Sequence, residues 1–245
     1  MIELKDLCKN YGQFPAVKKL SLSVPRGELF CFLGPNGAGK TTTIKVMTGL
    51  LSPSSGSAFI DGFNIQTQPV EAKTVMGYVP DMPFLYDRLT ATEFFEFTGD
   101  LYGLPQAEIR EELDKSFDLF GLSEQKNSLI NDLSHGMKQR LIYASTFLHK
   151  PAVMFIDEPL IGLDPYTIRL LKDILVEKAR SGMTIFLTTH ILALAEDIAD
   201  RIGIIMRGRM IACGALPELL EKYGNRKNLE DLFLSITAVE TERQS

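Results

Sequence analysis

The residues Gly34-Pro35-Asn36-Gly37-Ala38-Gly39-Lys40-Thr41 constrain this chain more than any other stretch. They satisfy the pattern G-x-x-x-x-G-K-[ST] in full. An apolar run, Leu29-Phe30-Cys31-Phe32-Leu33, precedes them, and a segment of helical character over residues 41–50 follows. Strand, glycine loop and helix is the context this motif requires. Gly34, Gly37 and Gly39 are expected to give the loop backbone angles closed to other residues, so that several N–H groups turn inward on a phosphate chain. The start of the helix adds the positive end of its dipole. Lys40 supplies a point charge for the terminal phosphates, and the Thr41 hydroxyl suits Mg2+. The pattern predicts a nucleoside triphosphate site.

A chain of 245 residues, 45% apolar and 23% charged, has material for one large domain or two small ones. Its net charge of −5 argues against a nucleic-acid partner, which would call for a basic face. Cys8, Cys31 and Cys213 are too scattered for a disulfide framework or a metal site, so a reducing cytosol is expected. No apolar stretch approaches the roughly 18 residues of a membrane span. Residues 1–6 lack the apolar core of a signal peptide, and the expectation is a protein soluble by itself.

Residues 2–8 and 17–24 alternate apolar and polar, as half-buried strands do, with Tyr11 and Gly12 in the turn between them. From sequence alone Tyr11 serves equally well as a packed loop residue or a functional aromatic. Residues 56–61 read as another strand with Asp61-Gly62 as a tight turn. A short helix over 69–75 and a strand over 77–79 follow, ending at Pro80. Residues 81–132 read as helical throughout. Thr90 and Glu93 form a capping box, and Phe94, Phe95, Phe97, Leu101 and Tyr102 give a broad apolar face expected in the core. Pro105 opens the next helix, with Ile109, Leu113, Phe117 and Phe120 on one stripe and Gly121 as its stop.

Ser134 reads as the N-cap of a helix that ends before Pro151, a role that would account for it without any chemistry. The next run, Ala152-Val153-Met154-Phe155-Ile156-Asp157-Glu158, is a buried strand ending in two carboxylates, at the sheet edge where such folds hold ligands. Asp157 would hold Mg2+ directly or through a water, and Glu158 would polarise a water for attack on the γ-phosphate. After a turn at Gly162-Leu163-Asp164-Pro165 and another helix, the strand over 184–189 leads to His190, at the same edge as the acids. A hairpin about Arg207-Gly208 and two helices close the chain. The last is capped by Asn228, with Leu229, Leu232, Phe233 and Ile236 at helical spacing, and residues 237–245 read as a polar tail.

With these residues in place the chain resembles the nucleotide-binding subunit of an ATP-binding cassette (ABC) transporter, over about residues 2–236. Gly34–Thr41, with Thr42 behind it, resembles the Walker A loop. Leu133-Ser134-His135-Gly136-Met137 resembles the family signature, Leu-Ser-Gly-Gly-Gln. Asp157 and Glu158 match Walker B and its catalytic glutamate, Gly162-Leu163-Asp164 the D-loop, and His190 the switch histidine. Tyr11 falls where the family stacks an aromatic on adenine. Asp81 stands where the family has the Q-loop glutamine; a carboxylate there can contact Mg2+ or the attacking water but cannot donate a hydrogen bond. His135 and Met137 replace Gly and Gln, and Leu160 stands where Thr is common.

The resemblance implies an α/β fold of the P-loop NTPase, ABC ATPase type. It has a mixed central sheet, an N-terminal antiparallel β subdomain and a helical subdomain inserted at about residues 82–150. It also implies ATP and Mg2+ as ligands, hydrolysis with Glu158, His190, Lys40 and Asp81 in the catalytic group, and Thr41, Asp157 and Asp81 around the metal. Ser134, His135, Gly136 and Met137 would cap the nucleotide of a second copy or a homologous subunit. The implied partner is an integral membrane permease, reached from the cytoplasmic face of the cell membrane, with no nucleic acid. Compactness, the acidic Q-loop position and the tail over 228–236 most resemble bacterial ABC-2-type exporters. Two alternatives remain at this stage: a soluble ABC protein acting in protein assembly or on nucleic acid, and a regulator that holds ATP without turnover.

Overall fold

The computed structural model describes residues 1–82, 84–158, 160, 163–224 and 226–242. The alternating N-terminal residues form β1 (Ile2–Tyr11) and β2 (Phe14–Val24), antiparallel, with Ile2 opposite Val24 and Tyr11 opposite Phe14. Ile2, Leu4 and Leu7 on one strand and Val17, Leu20 and Val24 on the other are buried, as a sheet with one wet face demands. The apolar run becomes β3 (Leu29–Leu33), and α1 (Lys40–Met47) follows the glycine loop. β4 (Ser55–Ile60) pairs with the free edge of β1, and β5 (Phe63–Asn64) folds back on β4. Asp61 and Gly62 between them have φ of 47° and 91°, both positive as a type I′ hairpin turn requires. The resulting sheet runs β2-β1-β4-β5, all antiparallel.

The second sheet contains α/β crossovers. After α2 (Pro69–Thr74) come β6 (Met76–Val79), the helices α3 (Ala91–Leu101), α4 (Gln106–Leu119) and α5 (His135–Phe147), and β7 (Val153–Asp157). Then follow α6 (Pro165–Arg180), β8 (Thr184–Thr189), α7 (Leu192–Ile198), β9 (Arg201–Met206), β10 (Arg209–Gly214), α8 (Leu216–Lys222) and α9 (Leu229–Glu242). Strand order is β10-β9-β3-β8-β7-β6, parallel except for β10, which makes the sheet mixed as expected.

Every residue of β3, β7 and β8 is buried, which explains why their sequences show no polar alternation. Their side chains still alternate between two cores. Phe30, Phe32, Phe155 and Phe186 face the antiparallel sheet and α1, with Phe186 5.4 Å from each of the first two rings. Cys31, Leu33, Met154, Ile156, Ile185 and Leu187 face the helices.

Residues 81–132 are less helical than their composition suggests. Thr90, the cap of α3, is extended (φ −74°, ψ 164°) and completes its box with Glu93, so the helix cannot continue upstream. Gly121, at φ 61°, stops α4, and only two 3-10 turns, Ser123–Gln125 and Ile130–Asp132, precede α5. The stripe on α4 is buried as expected, and Phe117 meets Phe95 of α3 edge-on at 5.5 Å. Phe94 packs partly against the core, but the rest of that apolar face departs from the expectation. Phe97 and Leu101 are exposed, and Tyr102 keeps 37% of its surface open although His149 covers one face of its ring. At the C-terminus the Asn228 side chain accepts the Asp231 N–H at 2.9 Å, and α9 runs on to Glu242, past the expected stop at Ile236. The end of the expected tail, residues 243–245, and Gly162 of the expected D-loop lie outside the described residues. Among the described residues no helix is long and apolar enough to cross a membrane.

His149, after α5, ties the helices to the sheet. Its Nε2 donates to the Met76 carbonyl at 3.1 Å, and its ring stacks on Tyr102 at 3.7 Å with planes 6° apart. Burial holds its pKa below the usual histidine value, with the Met76 bond opposing. As pH falls through about 6.5, the unfolded chain therefore takes up this proton more readily than the folded one, and stability drops until the folded value is passed. Melting temperatures measured between pH 7.5 and 5 should fall more for wild type than for His149→Gln, which keeps a donor for Met76 but does not titrate. Parallel curves would show that His149 contributes nothing to acid sensitivity.

Candidate active site

Each glycine of the loop answers a different demand. Gly39 has φ 109°, and a Cβ there would lie 2.6 Å from the Ala16 carbonyl oxygen. Gly37 has φ 77° with open space around it, so its need is conformational alone. Gly34 departs from the sequence expectation: its φ is not in the left-handed region, and its need is room, since a Cβ would sit 2.4 Å from the Ile205 carbonyl oxygen. The Ala38 N–H closes a turn on the Pro35 carbonyl at 3.1 Å. Helix α1 starts without a side-chain cap, which leaves its first N–H groups to face the loop. Lys40 is buried, and its Nζ donates to the Gly34 carbonyl at 2.7 Å.

The parallel strands bring the remaining groups to the same edge. In register, Leu33 lies beside Thr189 and Asp157 beside Thr188, so Gly34, Glu158 and His190 leave the sheet together. Asp157 is 1% exposed, and its Oδ1 accepts from the hydroxyls of Thr188 and, at 3.3 Å, Thr41. Its Oδ2 is buried without a hydrogen-bond partner among the described residues. Burial pushes its pKa above the ordinary carboxylate value, and the two hydroxyls oppose this.

Glu158, one residue past β7, has φ 50°, an uncommon conformation for a residue with a side chain, and its N–H donates to the Thr188 carbonyl at 3.0 Å. The turn aims its carboxylate back over the loop. Oε1 lies 3.3 Å from Lys40 Nζ, and Oε2 accepts from His190 Nδ1 at 2.9 Å and from the His190 N–H at 3.3 Å.

These groups border a cavity of about 440 Å3, within the usual size range for small-ligand sites. Residues 35–42 form one wall, so Pro35, Asn36, Gly37, Ala38, Gly39, Lys40, Thr41 and Thr42 all reach it. Tyr11, Phe14 and Ala16 form another, and Asp81, Glu158 and His190 close it. Gly34 and Asp157 lie behind this surface. Sequence reading found Tyr11 but missed Phe14, which faces it across the hairpin and is 63% exposed at the mouth. Two aromatics flanking a tight turn were the available signal. It also missed Ala16 and Thr188, which nothing in the local sequence distinguishes.

The expected signature residues stand apart from this cavity. Ser134 caps α5, its Oγ accepting the Met137 N–H at 3.3 Å, while His135 is exposed and Met137 packs partly on the core. Asp164 caps α6, accepting from the Thr167 N–H at 3.0 Å and hydroxyl at 2.7 Å, bonds that hold its carboxyl below the ordinary range. A Cβ on Gly136 would lie 3.2 Å from Asp164 Oδ2, so these two helix starts form a second cluster.

The sequence profile of the family described as "ABC transporter" matches residues 17–161. The chain is 37% identical over 224 residues to the "Linearmycin resistance ATP-binding protein LnrL" of Bacillus subtilis (strain 168), covering 91% of this chain and 72% of that protein. It is 39% identical over 243 residues to the "Probable multidrug ABC transporter ATP-binding protein YbhF" of Escherichia coli (strain K12), covering 96% of this chain but only 41% of that longer protein. A solved structure described as "Structure of ATP binding subunit of ABC transporter" superposes with a TM-score of 0.91 at 35% identity, over 97% of this chain and 99% of the other. With the loop, the acid edge and the two-sheet architecture in agreement, this chain belongs to the ABC transporter family and carries its ATP-binding domain.

Proposed function

We propose that this chain binds ATP with Mg2+, hydrolyses it, and drives a separate integral membrane permease from the cytoplasmic face of the membrane, in the direction of export. One observation carries the hydrolytic reading: Glu158 is held between Lys40 and His190, at 3.3 and 2.9 Å, on the wall of the cavity that the phosphate loop forms. Lys40 and the loop N–H groups bind the phosphates, and Tyr11 and Phe14 flank the base. Glu158 orients the attacking water and takes its proton, and His190 keeps the carboxylate aimed. A regulator without turnover would have no use for this arrangement.

The residues also fit Mg2+. Thr41 and Asp157 offer hard oxygen ligands, and the unpartnered, buried Oδ2 of Asp157 is an orphan that a cation would satisfy. Asp81 adds a carboxylate at the cavity wall. When bound, Mg2+ neutralises charge building on the β- and γ-phosphate oxygens.

The second cluster supports a shared site. Ser134, His135, Gly136 and Met137 open a helix whose start lies outside the lining of this chain's own cavity, with Asp164 beside it, and a helix start bearing a hydroxyl is suited to an anion. We assign that anion to the nucleotide of a second copy or a homologous subunit. For the permease, the support is the segment after β6. Phe84, 84% exposed, meets Tyr86 edge-on at 6.0 Å, and Tyr86 meets Phe97 at 5.5 Å, a contiguous aromatic patch that no described element covers. The resistance and multidrug names of the relatives support export.

Glu158→Gln should retain ATP binding and lose phosphate release by about 10²–10⁴-fold, the usual contribution of a general base; wild-type turnover would remove Glu158 from that role. For the shared site, Lys40→Ala loses the lysine charge. Ser134→Asp keeps a good helix cap but sets a carboxylate against the γ-phosphate. Each variant alone should fail to trap ATP, and a mixture should recover one intact site per heterodimer. A mixture shown to contain heterodimer that still traps nothing would sink the shared-site reading. Replacing both Phe84 and Tyr86 by Ala should weaken permease binding by about tenfold or more, as loss of aromatic anchors does, and spare basal ATPase activity. Equal affinity in a pull-down titration would count against this surface.

A further inference from the structure

The hairpin of β9 and β10 holds no residue of the expected site, yet it touches two walls of the cavity, the phosphate loop and the strand that carries Phe14 and Ala16. Its turn residue Gly208 is buried and forms two backbone bonds. The N–H donates to the Ala38 carbonyl of the phosphate loop at 2.8 Å, and the carbonyl accepts from the Lys18 N–H of β2 at 2.8 Å. Ala38 lines the phosphate wall, and β2 carries Phe14 and Ala16 of the aromatic wall. Gly208 therefore ties the two walls to one another.

Space around the turn makes the tie rigid. A Cβ on Gly208 would lie 2.6 Å from the Ala16 carbonyl oxygen and 3.2 Å from Val17 Cα, so a side chain there must push β2 away from the turn that holds Ala38. The same Ala16 oxygen blocks a Cβ on Gly39 at 2.6 Å. Ile205, fully buried near the end of β9, completes the support from below. Its carbonyl and Cγ2 leave no room for a side chain on Gly34, at 2.4 and 2.9 Å, and its Cδ1 lies 3.4 Å from the Cβ position of Gly39.

We infer that Gly208 and Ile205 are positioning residues of the nucleotide site, fixing the loop's height and its separation from the aromatic wall. The inference rests on the reading that the loop binds ATP. Neither residue touches the ligand; both act through Ala38, Gly34 and Gly39.

The fold supplies a control matched for backbone strain. Gly62 ends a two-residue hairpin turn after a residue at φ 47°, has φ 91° itself, and has open space at its Cβ position; Gly208 follows a residue at φ 49° and has φ 81°. Alanine at either position therefore carries the same conformational penalty, but only at 208 does it strike the loop support. ATP affinity in the presence of Mg2+, measured on the full chain alongside thermal melting, separates the two effects. Both variants should melt below wild type. Gly208→Ala should lose about tenfold in ATP affinity, equivalent to about 1.4 kcal/mol, while Gly62→Ala stays within about twofold. If Gly208→Ala does not fold, Ile205→Val, which removes only the Cδ1 contact, should lose about threefold. Wild-type affinity in whichever of these variants folds overturns the inference. Absence of ATP binding by the wild-type chain would instead overturn the reading of the loop itself.

Discussion

Three strands, β3, β7 and β8, are buried along their whole length, and strands with no wet face must be covered on both sides. That requirement organises the molecule. One face takes the phenylalanines and closes against the antiparallel sheet; the other takes aliphatic side chains and closes against the helices. Parallel pairing then sends all three strands out of the sheet at one edge. The phosphate loop, the paired acids and His190 are neighbours because each follows a buried strand, and no separate device is needed to assemble them.

The electrostatics of that edge follow from its dryness. Lys40 and Asp157 are buried, and a charge removed from water is costly unless partnered. Lys40 meets a backbone carbonyl and Glu158; Asp157 meets two hydroxyls but keeps one oxygen unpartnered among the described residues. The site thus holds a satisfied cation and an unsatisfied anion side by side, a polarity that matches a phosphate chain carrying its own metal. Glu158 joins this arrangement through a backbone conformation that its residue type disfavours, the kind of local strain that a surrounding fold can sustain at a functional position.

How much of this the sequence discloses depends on whether a feature is written in one stretch or between stretches. The glycine loop, the Asp157-Glu158 pair, the Thr90 capping box and the Asp61-Gly62 turn are contiguous, and each appears where its residues predict. Thr188 was illegible because its role comes from strand register, which sets it beside Asp157. Gly34 was legible as a glycine but for the wrong reason, since the atom that excludes a side chain belongs to Ile205. The aromatic face of α3 misled in the opposite way. Periodicity reports which residues are apolar, and it carries no information on whether a neighbour arrives to cover them.

The register that assembles the site also dates it within folding. The Thr41 hydroxyl meets Asp157 across 116 residues of sequence, and Gly27 meets Thr184 across 157. Closing such loops costs entropy before the contacts repay it, so pairings of this range slow folding. The phosphate loop can take its shape as a local turn, but the acids reach it only when β3, β7 and β8 lie side by side. Nucleotide held by both groups therefore recognises the completed sheet, and its binding energy adds to the stability of that state alone, by about 2.7 kcal/mol when free nucleotide stands at a hundred times its Kd. The ligand of the finished cassette is in this sense also the last member of its core.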